Sequence, residues 1–235
     1  MKKTLANIYG PWLFCQTGQF KGMIRWQMYV EYRNGKSARH NGIRRQNIAD
    51  HTLSKLVAVN MLLPELVRIF GNAVDFLLLL RCITFHDFGE PLRKKKGEKK
   101  NKRFDIMAHN KKDLHDAEEY ELFMKFLRDS KVPKQMIKEI ELAFLLQFSL
   151  TSYESFPLRA QKIMSYIRND EVLALTAILF QIIEKWEYHF YAYEHDKKHP
   201  DIWKNVTENQ GPLIEKWMNA IPVKYHRRMR TKLLT

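Results

Sequence analysis

Cysteine is scarce in this chain. Only Cys15 and Cys82 occur in 235 residues, too few for a disulfide framework or a Cys-rich zinc site, so a reducing compartment is expected. Long apolar runs are also missing. The stretch Phe76–Leu80 is bounded by Asp75 and Arg81, far short of the roughly 18 residues a membrane span requires. Lys2 and Lys3 do not open a secretion signal, because Asn7, Tyr9, Gly10 and Pro11 interrupt the apolar region that would have to follow. These absences predict a soluble, cytoplasmic chain with no membrane partner. Neither G-x-x-x-x-G-K-[ST] nor G-x-G-x-x-G is present, so nucleoside-triphosphate-driven and dinucleotide chemistry have no support. Almost no alternating apolar and polar pattern occurs, which removes the usual signature of half-buried strands.

What the chain does have is apolar mass and positive charge. Apolar residues make up 45% and aromatics 12%, enough to bury a sizeable core and to exclude a disordered or low-complexity reading. The length suits a single domain carrying an insertion. The formal net charge is +14, and it is unevenly spread. Arg93 to Arg103 reads RKKKGEKKNKR, with eight basic residues and one acid in eleven, and Lys224 to Lys232 reads KYHRRMRTK. Each cluster reads either as a solvated surface or as an electrostatic funnel for phosphate-bearing ligands, with nucleic acid included among them.

Helical periodicity runs through most of the sequence. A short helix is expected over Met23–Tyr32, followed by a polar loop from Arg33 to Gly42. Asn47 or Asp50 then caps a helix reaching about Leu63, with Leu53, Leu56, Val57 and Val59 at helical spacing and Pro64 near its boundary. The most apolar helix is expected over Ala73–Phe88, closed by Gly89 and Pro91. Beyond the basic loop, helices are expected over Asp113–Asp129, Lys134–Phe148, Arg159–Arg168, Glu171–Glu194 and Leu213–Ala220, with Ser149–Pro157 as a linker. The fold class is all-α.

Three pieces carry chemistry. His51 lies in QNIADHTLSKL at a helix start. The pair His86-Asp87 in RCITFHDFGE ends the most apolar helix. FQIIEKWEYHFYAYEH, Phe180 to His195, is acidic and aromatic. A carboxylate at the end of so apolar a segment is costly unless it is paired or bound to a cation. Imidazole with carboxylate suits zinc, manganese, iron, cobalt or nickel. Glu90 follows Asp87 by three residues and shares its face if the helix continues, as an acid/base group would. The 35 residues between His51 and His86 are enough for two antiparallel helices and a connection, so the imidazoles can meet.

RQNIADHT, then His86-Asp87, then Glu90 resembles the HD-domain metal-dependent phosphohydrolases, and within them the bacterial 5′-deoxynucleotidase-like branch. The resemblance covers roughly Met23 to Asp196. It implies a helical bundle of HD type over residues 1–235, with the basic loop 93–103 as an insertion and 197–235 as a C-terminal helical extension and basic tail. It further implies one divalent metal ion (manganese, cobalt, zinc, iron, nickel or magnesium) held by His51, His86, Asp87 and a later acid. Glu184 stands at the family's Asp position, and Asp170 is the competing ligand. Glu90 matches the acid that orients the attacking water. Asp105, with Glu98 as its competitor, matches the acid that protonates the leaving oxygen. Arg25 and Trp26 match the family's phosphate-binding and sugar-shaping pair. The implied activity is hydrolysis of (deoxy)nucleoside 5′-monophosphates, with homodimerisation common among relatives. Two rival expectations stand beside it: hydrolysis of a cyclic or polyphosphorylated nucleotide, and a catalytically weak helical protein that binds nucleic acid through its basic loop.

Overall fold

The computed structural model describes residues 48–92, 112–151, 154–195 and 200–226. The helix expected over 23–32, Arg25, Trp26, the loop 33–42, the basic loop 93–103, Glu98 and Asp105 lie outside the described residues, as does the tail beyond residue 226. Within them the protein is all-α with no strand: α1 Ile48–Phe70, α2 Phe76–Phe85, α3 Lys112–Asp129, α4 Lys134–Leu146, α5 Leu158–Asn169, α6 Glu171–His195 and α7 Pro200–Ala220, with single 3₁₀ turns at Gly71–Ala73 and Glu90–Leu92.

α6 is the axis of the bundle. From Leu175 to Glu184 every residue except Ile178 is buried, as expected of a helix that is apolar on all sides. It packs against α1, α2, α5 and α7, and α2 in turn lies on α1 and α4. Asp75 fixes the entry to α2 twice. Its side chain caps the helix by accepting from the Leu78 amide at 2.8 Å, and its own amide donates to Thr176 Oγ1 of α6 at 2.9 Å. The α2 face Leu78, Leu79, Cys82 and Ile83 is buried, so the next turn of that face carries His86 inward. Rings of Phe85, Phe88, Phe123 and Phe144 pack in sequence, with centroids 5.0–5.6 Å apart along Phe85–Phe88–Phe123–Phe144, and tie the end of α2 to α3 and α4.

Three boundaries differ from the sequence expectation. α1 does not stop near Leu63 but runs through Pro64 to Phe70. Pro64 and Asn60 are both exposed, so the Asn60 carbonyl that loses its helical donor can turn to water instead. The expected helix 73–88 is shorter, because Asp75 caps it at one end and the chain leaves helical pairing after Phe85. α7 begins at Pro200 rather than Leu213, and it carries Gly211 and Pro212 within it.

Candidate metal centre

Three elements of the described chain meet at one buried point. α1 contributes Ile48, His51, Lys55 and Val59, its fully inward face at i, i+3, i+7 and i+11. The turn after α2 contributes His86 and Asp87. α6 contributes Glu184 and Glu187, three residues apart and therefore on one side of the helix. His51, Lys55, His86, Asp87, Glu184 and Glu187 are all at most 9% exposed.

His86 closes α2, its amide donating to the Cys82 carbonyl at 2.9 Å. Its Nδ1 lies 2.8 Å from the Ile83 carbonyl. A carbonyl only accepts, so Nδ1 donates and Nε2 of the neutral ring presents a lone pair. The turn is held from behind: Gln147 Nε2 donates to the His86 carbonyl at 2.8 Å, and Gln181 Nε2 donates to the Gln147 carbonyl at 2.7 Å. On α1, His51 Nδ1 lies 3.0 Å from Glu187 Oε2. That carboxylate lies on the Nδ1 side of the ring, as the carbonyl does for His86, and Nε2 is left facing inward. A ligating histidine is commonly oriented this way by a carboxylate or carbonyl on its other nitrogen.

The inward atoms are nearly all acceptors. His51 Nε2 faces Asp87 Oδ2 at 3.5 Å and Glu184 Oε1 at 3.8 Å. His86 Nε2 faces Asp87 Oδ2 at 3.0 Å and Glu184 Oε2 at 3.5 Å. One donor atom from each of His51, His86 and Asp87 lies within 4.8 Å of the other two, so this trio can hold a metal ion. The residues fit such an ion on two grounds: lone pairs and carboxylate oxygens converge, and the donor types suit borderline divalent metals. Charge agrees, since the three carboxylates of Asp87, Glu184 and Glu187 against one ammonium leave the site two positive charges short of neutrality.

The ammonium is Lys55. Its Nζ lies 2.5 Å from His86 Nε2 and bonds Glu184 Oε2. Burial by itself raises the Glu184 pKa, but the charge of Lys55 leads the opposing influences that hold the carboxyl well below the ordinary carboxylate range. Cys82 lies one turn before His86; burial pushes its thiol pKa up, so it is a packed apolar group here rather than a ligand.

The sequence-expected residues separate as follows. His51, His86, Asp87 and Glu184 come together. Asp170 does not: its Oδ1 accepts from the Leu173 amide at 3.0 Å and caps α6, 14 residues and about 21 Å along the helix from Glu184. Glu90 is not on a continuation of α2. It opens the 3₁₀ turn Glu90–Leu92, with its amide on the Asp87 carbonyl at 3.3 Å, because the helix ends at Phe85. Sequence reasoning missed Lys55. The one available signal was its position four residues after His51, on the same helical face. It also gave Glu187 no role, although three-residue spacing from Glu184 placed it beside the ligands.

Comparison of the chain with protein-family models, with curated proteins and with solved structures gives no match. Among the described residues, no helix is long and apolar enough to cross a membrane.

Proposed function

We propose that the protein is a metal-dependent phosphohydrolase of HD type, acting on (deoxy)nucleoside 5′-monophosphates. The observation that carries this reading is the convergence of His51, His86, Asp87 and Glu184, from three separate elements, with both imidazoles turned so that Nε2 points inward. Each of these buried groups carries a desolvation cost; Lys55 answers two of them, and a divalent ion would offset the remainder.

In this reading His51, His86, Asp87 and Glu184 are the ligands. Glu187 and the Ile83 carbonyl keep the two rings in the ligating tautomer. A divalent ion held there supplies Lewis acidity toward a phosphoryl oxygen and lowers the pKa of a coordinated water. Glu90, at the mouth of the turn, takes the proton from the attacking water. Arg25 and the lysines of segment 93–103 neutralise non-bridging phosphate oxygens, and Asp105 returns a proton to the leaving 5′ oxygen. The sugar and base preference follows from Trp26 and its neighbours.

The test is phosphate release from a panel of deoxy- and ribonucleoside monophosphates with manganese, cobalt, zinc or magnesium, using wild type and Asp87→Ala. Release that depends on metal and is absent in the variant is the expected result. No release from any substrate with any metal overturns the monophosphatase reading.

A further inference from the structure

Lys55 is fully buried, yet it is neither a surface charge nor part of the implied ligand set. Its ammonium bonds two of the four acceptor groups that would hold a metal, His86 Nε2 at 2.5 Å and Glu184 Oε2. A lone pair that accepts from an ammonium cannot at the same moment donate to a metal. We infer that Lys55 is a built-in cation that competes with the divalent ion for His86 and Glu184, so that the site is held together without metal and binds metal more weakly than its ligands alone would. The inference rests on the metal-site reading above and adds its regulation.

The physical argument has three parts. First, Lys55 shares the inward face of α1 with His51, and at 1% exposure its ammonium sits out of contact with water. Displacing it therefore costs part of a buried ion pair, and that cost is subtracted from metal binding. Second, the ammonium offsets one of the three carboxylate charges of Asp87, Glu184 and Glu187, which lowers the attraction for a divalent ion. Third, the same charge satisfies Glu184 and His86 when no metal is bound, so these two buried acceptors are answered in the apo site. The residue weakens metal binding and supports the empty fold by the same two contacts.

The experiment compares wild type, Lys55→Met, Lys55→Gln and Asp87→Asn, each freed of metal with chelator. Cobalt(II) is titrated in, with binding followed by calorimetry and by the visible ligand-field bands, and thermal unfolding is measured with and without the ion. Methionine keeps the length and removes the charge. The expected result is at least tenfold tighter cobalt(II) binding in Lys55→Met and Lys55→Gln, a lower apo melting temperature, and a larger thermal gain on adding metal. Asp87→Asn should lose the bands.

If wild type and both Lys55 variants bind cobalt(II) with equal affinity at a site that Asp87→Asn abolishes, the competition is overturned and the metal site stands. If none of the folded proteins binds cobalt(II), the competition and the metal site fail together. Should the Lys55 variants not fold in chelator, they are refolded with cobalt(II). Recovery of the fold with metal supports the inference, because the ion replaces the missing charge, and failure of both variants to fold with metal overturns it.

Discussion

Glu187 Oε2 stands 3.0 Å from Nδ1 of His51, while Nε2 of the same ring faces the carboxylates of Asp87 and Glu184. Replacing the carboxylate by an amide keeps the shape and removes the charge that makes His51 a stronger donor. Glu187→Gln should weaken metal binding by about 10–100-fold while leaving the melting temperature of the metal-free protein within a few degrees of wild type. Cobalt(II) titration alongside thermal unfolding checks both halves; unchanged affinity would remove Glu187 from the site.

Glu184 sets an acid limit on stability. Its carboxylate is favoured in the folded protein, so its pKa is lower there than in the unfolded chain, where it is about 4.3. Its contribution is therefore fully present above that value and is lost as the pH falls toward the lower folded one. Glu184→Gln should be destabilised relative to wild type at neutral pH, because Lys55 loses its anionic partner. The gap should narrow as both are acidified below about pH 4. Denaturant unfolding across the acid range checks this, and a gap that widens on acidification would contradict the assignment of Lys55 as the partner.

The Cys82 thiol should be inert. It is fully buried, and burial outweighs the opposing influence of Lys55 to raise its pKa. In a Cys15→Ser background, Cys82 should resist a thiol-disulfide reagent in native buffer and react at once in denaturant. Rapid labelling of the native protein would show that α2 opens around it.

Glu141, buried at the α4 end of the core, accepts from Tyr120 at 2.7 Å and from Arg159 at 2.5 Å. The two partners are unequal in their dependence on it. Arg159 is largely exposed and can return to water, whereas Tyr120 is buried and, by its burial and by this bond, its hydroxyl holds its proton firmly. Glu141→Ala should cost about 2–3 kcal/mol by leaving a buried donor unanswered, and Tyr120→Phe about 1 kcal/mol, since Arg159 still satisfies the acid. Equilibrium urea unfolding of both variants orders the two costs.

How much of this was legible beforehand varies from helix to helix. Helical class and the room for His51 and His86 to meet followed from periodicity and spacing, whereas Gly89 and Pro91 suggested a later end to α2 than the one at Phe85. α1 was harder. Leu53 and Val57, which set its apolar stripe in the sequence, are 62% and 50% exposed, while His51 and Lys55 are buried. Val59 of that stripe does face inward, but the two turns before it give their inward positions to His51 and Lys55, and no propensity rule anticipates that exchange. Lys55 was invisible for the same reason, since a lysine one turn from a histidine ordinarily reads as solvated surface. Glu184 could be preferred to Asp170 only by the character of the surrounding helix until the cap on Leu173 was seen. The length of α7 was hidden by Gly211 and Pro212, which local reasoning takes as an end.

Gly89 touches none of the ligands, but a methyl group at its α-carbon would lie 2.6 Å from Glu119 Cβ and 2.8 Å from the Glu119 carbonyl oxygen. Those atoms belong to the stem of α3 and cannot rotate aside. α3 therefore passes over the turn beside Asp87 at Glu119, in the middle of its span. In a saturation library scored for activity, position 89 would therefore read as intolerant as a ligand while contributing nothing to the chemistry. The backbone of α3 thus sets the side-chain size allowed two residues after Asp87.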